Sequence, residues 1–200
     1  MKNKINQFNI VICGVGGQGL ITMTKILAIA AQEEGYEAKT SELHGLAQRG
    51  GSVETHVRFG KKIYSPLVKA GGADLIIALE AQEAVKASFY ASKKTGTVFL
   101  INKFLTPIIE QELIPLEKIS KTLEDFSKKT LIVPATEVTQ KEFNNSVLAG
   151  TYLLGKAIYQ DLIPLKIPSI LKAMQEIVPD KFLEINKKAF ELAGNLEKQK

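Results

Sequence analysis

The sequence predicts an α/β fold, a single doubly wound domain with a mostly parallel sheet. Three observations support this. An apolar strand at 8–13 runs into a glycine-rich turn and then a helix, which is how a βαβ unit begins. The runs 73–80 and 96–102 are predominantly apolar, as expected for parallel strands buried on both faces. Two amphipathic segments within 161–200 predict a C-terminal helical pair. Together they indicate a Rossmann-like α/β core over 1–160 followed by helices over 161–200.

The first elements follow in chain order. After the strand FNIVIC, Leu20 to Glu34 carries apolar residues at helical spacing and ends at Gly35, a typical C-cap. Residues 36–43 are predicted as the second strand of the βαβ unit, and 44–51 as the loop at its carboxyl end.

The segment SVETHVRFG alternates strictly between apolar and polar positions. This pattern predicts a strand with one buried and one polar face. The buried face would hold Val53, Thr55, Val57 and Phe59, and the polar face Glu54, His56 and Arg58. FGKKIYSP predicts a hairpin through Gly60, which returns along a short edge segment that Pro66 ends.

The second half supplies further elements of the same kind. Residues 129–135 predict one more buried strand, and 103–128 a helical or irregular connection. A long, mostly apolar helix is predicted over 137–159. Within it, Gly150 and Gly155 are small residues at which a neighbouring element can approach closely.

Composition excludes several classes of protein. The 200 residues carry a net charge of +5, but the lysines are scattered, which argues against a nucleic-acid-binding stripe. No apolar run reaches the roughly 18 residues of a membrane span, and the N-terminus lacks a signal-peptide core, so a cytoplasmic protein is expected. Cys13 is the only cysteine, so the chain cannot supply the thiolates of an iron–sulfur cluster.

The glycine turn GVGGQG is the first candidate site. Gly14, Gly16 and Gly19 satisfy G-x-G-x-x-G, with Gly17 in addition, and such turns bring phosphate to backbone N–H groups at a helix N-terminus. Glu42 lies about 20 residues further on, where dinucleotide-binding folds place a ribose-binding acid. The alternative is close packing of strand and helix without a ligand. No P-loop lysine follows the turn, and no thiamin-diphosphate motif is found.

A second candidate site is the segment from His44 to Arg58. Both arginines and both histidines of the chain lie within it, including Arg49 and His56. Because lysine supplies positive charge everywhere else, the clustering of planar, bidentate guanidinium groups indicates a specific contact.

Three motifs in order, GVGGQG, SELHGLAQRGGSVETHVRFG and YSPLVKAGGADLIIALEAQEAV, closely resemble the gamma subunit or gamma domain of 2-oxoacid:ferredoxin oxidoreductases. The resemblance covers residues 8 to about 155. The wording LHGLAQRGGSV is most similar to the indolepyruvate-type branch of that family, in which the corresponding chain is the beta subunit.

The resemblance implies a division of labour between chains. Thiamin diphosphate, Mg and 4Fe–4S clusters would belong to a larger catalytic subunit, with coenzyme A as co-substrate and ferredoxin as electron acceptor. This chain would be inactive alone and would expose an apolar patch for its partner, through which the isolated chain could self-associate. The family also includes gamma subunits acting on pyruvate or 2-oxoglutarate.

The resemblance and the motifs together indicate two groups of candidate site residues. Expected at the cofactor side are Gly14, Gly16, Gly17, Gln18 and Gly19. Expected at the substrate or partner interface are His44, Gln48, Arg49, Gly50, Gly51 and Glu80. No catalytic residue or metal ligand is expected.

Simpler roles remain open for several of these residues. Glu80 could instead satisfy N–H groups of the helix that follows it, and Glu54 could pair with Arg58. Cys13 is expected to be a small buried strand residue. Two other functions also remain open: a free-standing protein that binds NAD or FAD through Glu42, and a purely structural scaffold subunit.

Overall fold

The computed structural model describes residues 5–44, 50–106 and 114–195, with the side chain of His44 left out. Six strands form one sheet in the order β2-β3-β1-β4-β5-β6. Their bounds are β1 Gln7–Val15, β2 Glu37–His44, β3 Ser52–Gly60, β4 Leu75–Ala78, β5 Val98–Asn102 and β6 Lys129–Val133.

Seven α-helices of the described chain complete the fold. They are α1 Leu20–Glu33, α2 Ala81–Ala87, α3 Leu116–Leu123, α4 Ala135–Phe143, α5 Ala149–Tyr159, α6 Ile167–Ile177 and α7 Asp180–Asn195. One face of the sheet packs against α1 and α5 to α7, and the other against α2 and α3. No helix in the described part of the chain is long and apolar enough to cross a bilayer.

The parallel half of the sheet matches the prediction except at β6, which was predicted to be buried but is an outer strand with no buried residue. β1, β4, β5 and β6 pair in parallel, and all four residues of β4 are buried. Their carboxyl ends therefore lie together along one edge, here called the carboxyl edge, which is where open α/β sheets bind ligands. The predicted α/β class and the C-terminal helical pair are both confirmed.

The position of the second strand differs from the βαβ prediction. β2 does not pair with β1, because β3 lies between them and runs antiparallel to both. β2 therefore points in the same direction as β1 but forms the outer edge of the sheet. Glu42 lies on this edge strand, exposed and opposite Thr55 of β3, one strand removed from the glycine turn.

The hairpin predicted through Gly60 is wrong in its position. The chain forms no strand over 61–74, and the actual hairpin joins β2 to β3. Gly60 instead packs against the N-terminus of β1, where a Cβ would lie 2.2 Å from the carbonyl oxygen of Asn6. Lys61 N then donates to the carbonyl oxygens of Ile5 and Asn6, which directs the chain away from the sheet.

Two further expectations need correction. The predicted polar face of β3 is covered, because residues 61–72 cross it and leave the side chain of His56 fully buried. The helix predicted over 137–159 is two helices, α4 and α5. Asn144 ends α4 in the left-handed conformation (φ 51°), and the side chain of Asn145 accepts a hydrogen bond from Val147 N, which starts a short 3₁₀ turn.

The close approach predicted at the helical glycines is confirmed. A Cβ on Gly155 would lie 2.5 Å from the carbonyl oxygen of Phe190 in α7, and one on Gly150 would lie 3.2 Å from Leu79 Cδ2. Glycine at these two positions lets α5 pack directly on its neighbours.

We expect Gly155→Ala to lower the free energy of unfolding by about 1–3 kcal/mol, because overpacking against α7 outweighs the better helix propensity of alanine. Urea unfolding followed by circular dichroism measures this. Lys188→Ala, at an exposed position of α7, serves as the control and should stay within about 0.5 kcal/mol of the wild type. An unchanged Gly155→Ala protein would contradict the packing described.

Candidate functional site

The glycine turn is braced by the loop that leads into β3. Gly16 N donates to the carbonyl oxygen of Gly51 at 2.9 Å. Within the turn, Val15 N donates to Gln18 Oε1 at 2.9 Å, and Gln18 N donates to the carbonyl oxygen of Val15 at 3.3 Å. Two of the three sequence motifs that carry the family resemblance therefore meet at the carboxyl edge.

The turn requires glycine at particular positions. Gly17 (φ 99°) and Gly19 (φ 81°) adopt the positive φ that L side chains rarely take, and a Cβ on either would meet open space. A Cβ on Gly14 would lie 2.5 Å from Gln18 Oε1. Helix α1 then begins without a side-chain cap or an acidic residue in its first turn. Its N-terminal N–H groups can therefore bind an anion.

A cleft of about 320 Å³ opens beside this turn at the carboxyl edge. Gly16, Gly17 and Gln18 line one side. The other side carries Leu79, Asn102 and Thr136, which stand at or just beyond the ends of β4, β5 and β6, together with Thr106 and the start of α5. The carboxyl ends of three parallel strands therefore contribute to the cleft.

Asn102 holds the floor of the cleft together, and the sequence analysis did not single it out. Its Nδ2 donates to the carbonyl oxygen of Leu79 (3.0 Å) and to Thr136 Oγ1 (2.7 Å), while its Oδ1 accepts from Thr136 N (3.2 Å). With only 1% of its surface exposed, Asn102 ties the ends of β4 and β5 to α4. The available signal was a polar residue closing an otherwise apolar strand, GTVFLIN.

Thr106 supplies a free polar atom on the wall of the cleft. Its Oγ1 is buried and, among the described residues, has no hydrogen-bond partner. Buried hydroxyl groups are normally satisfied, so this one is suited to a polar ligand.

A second groove, of about 350 Å³, continues from the first between α1, α5 and α7. The two share Gln18, Val147 and Gly150. Val147 and Phe182 line this groove and are 63% and 50% exposed, so its rim is apolar.

The predicted interface loop is only partly described. Gly51 contacts the glycine turn, and Gly50 has a positive φ of 70° in open space. Gln48, Arg49 and the side chain of His44 lie outside the described residues.

Glu80, predicted at the carboxyl end of β4, is engaged locally. Its Oε2 accepts from Glu83 N at 3.0 Å as the N-cap of α2, and its Oε1 accepts from Thr106 N at 3.1 Å. Only 2% of its surface is exposed. This geometry matches the local capping role rather than a contact with substrate.

The polar side chains of β3 form a buried network instead of the predicted Glu54–Arg58 pair. His56 Nδ1 accepts from Val68 N at 3.1 Å, so the proton lies on Nε2, which donates to Glu54 Oε1 at 3.0 Å. Arg58 reaches the carbonyl oxygens of Ser65 and Leu67 at 2.7 and 3.0 Å. These contacts fasten residues 61–72 to the sheet.

Tyr90 completes this network. Partial burial opposes the charge of Glu54, but hydrogen bonds from His56 and Tyr90 outweigh it and lower the pKa of that carboxyl. Burial, together with the hydrogen bond to Glu54, raises the pKa of Tyr90 to about 12. The His56 and Tyr90 rings also contact edge-to-face at 4.9 Å.

Cys13 is a small buried strand residue, as predicted, and is 2% exposed. Burial, and then the negative charge of Glu83, raise the pKa of its thiol. No group of three or more His, Cys, Asp or Glu in the described ranges could hold a metal ion. These residues therefore do not fit an iron–sulfur cluster.

Comparison with known proteins gives a consistent picture. Residues 9–196 match the family described as pyruvate ferredoxin/flavodoxin oxidoreductase. The chain is 35% identical over 193 residues to indolepyruvate oxidoreductase subunit IorB of Archaeoglobus fulgidus, covering 94% of each chain. It is 34% identical over 200 residues to the IorB subunit of Thermococcus kodakarensis, covering 98% of each. The fold is similar to that of the keto/oxoacid ferredoxin oxidoreductase gamma subunit of Geobacter sulfurreducens, with a TM-score of 0.67, 23% identity and coverage of 94% and 96%.

The raised pKa of Tyr90 predicts a loss of stability at high pH. Unfolded tyrosine ionises near pH 10, whereas folded Tyr90 keeps its proton to about pH 12. The stabilisation is therefore complete below pH 10 and is lost as pH rises toward 12. Between pH 9 and 11, we expect the free energy of unfolding of the wild type to fall by about 1 kcal/mol more than that of Tyr90→Phe.

Urea unfolding at several pH values measures this difference. Tyr64→Phe, on a ring that is 81% exposed, is the matched control and should follow the wild type. Parallel pH profiles for wild type and Tyr90→Phe would show that Tyr90 is not held by Glu54.

Proposed function

The chain belongs to the pyruvate ferredoxin/flavodoxin oxidoreductase family, and on that premise we propose that it is the cluster-free subunit of a 2-oxoacid:ferredoxin oxidoreductase acting on indolepyruvate or a related arylpyruvate. The observation that carries this proposal is full-length similarity. Four relatives named indolepyruvate oxidoreductase subunit IorB are 32–35% identical over at least 92% of the chain. The proposed setting is a cytoplasmic complex.

The redox chemistry is assigned to a larger partner subunit. One buried cysteine and the lack of a metal-binding cluster in the described ranges support placing the iron–sulfur clusters there, together with thiamin diphosphate and Mg. The complex would oxidise and decarboxylate the 2-oxoacid, transfer the acyl group to coenzyme A and pass electrons to ferredoxin. The chain described here would be inactive by itself.

The cleft at the carboxyl edge is the proposed contribution of this chain. We assign it to a phosphate group of coenzyme A, since the glycine turn presents backbone N–H groups at the uncapped start of α1. The unpartnered Thr106 Oγ1 on the same wall fits a polar ligand. The loop that contains Gln48 and Arg49 leads directly to Gly51, so we assign His44, Gln48 and Arg49 to contacts with coenzyme A or the partner subunit.

Introducing a negative charge into the glycine turn tests the assignment of the cleft to a phosphate group of coenzyme A. In the assembled complex, we expect Gly17→Asp to raise the KM for coenzyme A at least tenfold, because a carboxylate in the turn repels phosphate. The KM for the 2-oxoacid should change less than twofold. Steady-state kinetics with methyl viologen as electron acceptor measure both constants.

Gly96→Asp is the matched control. Gly96 also has a positive φ (82°) with no neighbour closer than 3.7 Å to its Cβ position, but it precedes β5 at the opposite edge of the sheet. The KM of the Gly96→Asp complex for coenzyme A should equal that of the wild-type complex. If Gly17→Asp assembles normally and keeps the wild-type KM for coenzyme A, the glycine turn has only a packing role.

A further inference from the structure

Two stretches of the chain, 55–73 and 84–97, contain no aspartate or glutamate. With 21 acidic residues in 200, stretches of this combined length would be expected to carry about three. The two stretches meet in the fold. Gly71 N donates to the carbonyl oxygen of Phe89 at 3.1 Å, and Thr95 Oγ1 donates to the carbonyl oxygen of Gly71 at 3.2 Å. They therefore adjoin and form a surface around Gly71, and neither stretch contributes a carboxylate to it.

Exposed lysines populate this surface, here called the basic face. They are Lys61, Lys62, Lys69, Lys93 and Lys94. Within the described part of the chain, none of the five has a carboxylate within 4.0 Å. Five other lysines do: Lys39, Lys103, Lys172 and Lys187 elsewhere, and Lys86, which lies within 84–97 and pairs with Glu83. The positive charge of the basic face is therefore available to another protein.

The carboxylates nearest to the basic face are mostly occupied. Glu37 accepts from Ile63 N and pairs with Lys39, while Asp74 accepts from Asn9 N. Glu54 is held by His56 and Tyr90 beneath residues 61–72. Glu124 is exposed, and its backbone oxygen accepts from Lys93 Nζ at 3.4 Å.

Three large apolar side chains project from the basic face. Tyr64 is 81% exposed, Phe89 65% and Leu67 47%. Their backbone is firmly supported, since Arg58 donates to the carbonyl oxygen of Leu67 and the ring of Phe89 packs on Tyr90 at 5.1 Å. Exposed aromatic residues ringed by charge are typical of protein-docking surfaces.

The composition of the basic face favours a transient partner, one that binds and dissociates. Permanent interfaces are large and apolar, and lysine is depleted from interface cores. Three apolar side chains among five lysines that lack a carboxylate partner instead fit a small interface formed under electrostatic steering. The basic face also lies at the amino ends of β4 and β5, opposite the carboxyl edge, so a partner covering the cleft would leave it accessible.

We propose that the basic face docks an acidic electron-accepting protein, the component of the complex that must bind and leave during turnover. This inference rests on the proposed function. Electrons would pass from the partner subunit's clusters to the acceptor, and this chain would only hold the acceptor in place.

Charge reversal tests the proposal in the assembled complex. The variant carries Lys69→Glu, Lys93→Glu and Lys94→Glu, and the assay measures 2-oxoacid oxidation with a ferredoxin of net negative charge. At low ionic strength we expect the KM for ferredoxin to rise at least tenfold and its salt dependence to disappear. The kcat with methyl viologen, a small acceptor that needs no docking surface, should stay the same.

The matched control carries the same change in net charge at Lys141→Glu, Lys166→Glu and Lys188→Glu, all exposed and on α4, α7 or the start of α6. Its KM for ferredoxin should rise less than twofold. An equal effect of both variants on the KM for ferredoxin, or no effect of the first variant, would overturn the proposal.

Two other outcomes would also overturn it. Failure of the first variant to assemble would place the partner subunit on the basic face, and binding of duplex RNA by the wild type through these lysines would make nucleic acid the occupant. Absence of 2-oxoacid oxidation by the wild-type complex would refute the proposed function separately.

Discussion

The position of β3 between β1 and β2 determines what surrounds the glycine turn and where residues 61–72 run. β3 pairs with β1 from Gln7–Gly60 to Val15–Ser52 and with β2 from Glu37–Gly60 to His44–Val53. Since both partners are antiparallel to it, the amino end of β3 lies at the carboxyl edge. The register sets Ser52 opposite Val15, so Gly51 reaches the glycine turn and accepts the hydrogen bond from Gly16.

The two ends of the sheet carry different surfaces, the cleft at the carboxyl edge and the basic face at the opposite end. At the carboxyl edge, the glycine turn, the buried Asn102 network and the Thr106 hydroxyl, which has no hydrogen-bond partner among the described residues, line a cleft suited to an anionic ligand. On the other side, residues 61–72 cannot continue the sheet, because Gly60 abuts the N-terminus of β1, and they fold across His56 instead. This crossing buries the polar face of β3 and presents the lysines of the basic face. In the proposed complex, the chain offers the cleft to a ligand and the basic face to a partner.

The sequence predicted the features that depend on local pattern. The buried runs at β4 and β5, the glycine turn and the C-terminal helices all have periodicity or turn chemistry that can be read from neighbouring residues. Strand order was not accessible in this way, because pairing of β3 with two strands is a long-range choice that alternation does not encode. The burial of His56 was missed for the same reason: its cover comes from residues 61–72, which have no regular pattern. The break at Asn144 was a signal available in the sequence, since asparagine tolerates the left-handed conformation that ends a helix.

In the proposed complex, this chain is one part of a two-component enzyme whose redox chemistry belongs to its partner. Anaerobic affinity purification of the tagged chain from its native host tests this arrangement, with identification of the co-eluting proteins and an assay of coenzyme A-dependent 2-oxoacid oxidation. We expect a larger co-eluting chain that carries thiamin diphosphate and iron–sulfur clusters, and oxidation of arylpyruvates in preference to pyruvate or 2-oxoglutarate. Elution of the chain alone with a bound dinucleotide would refute this arrangement and support dinucleotide binding through Glu42.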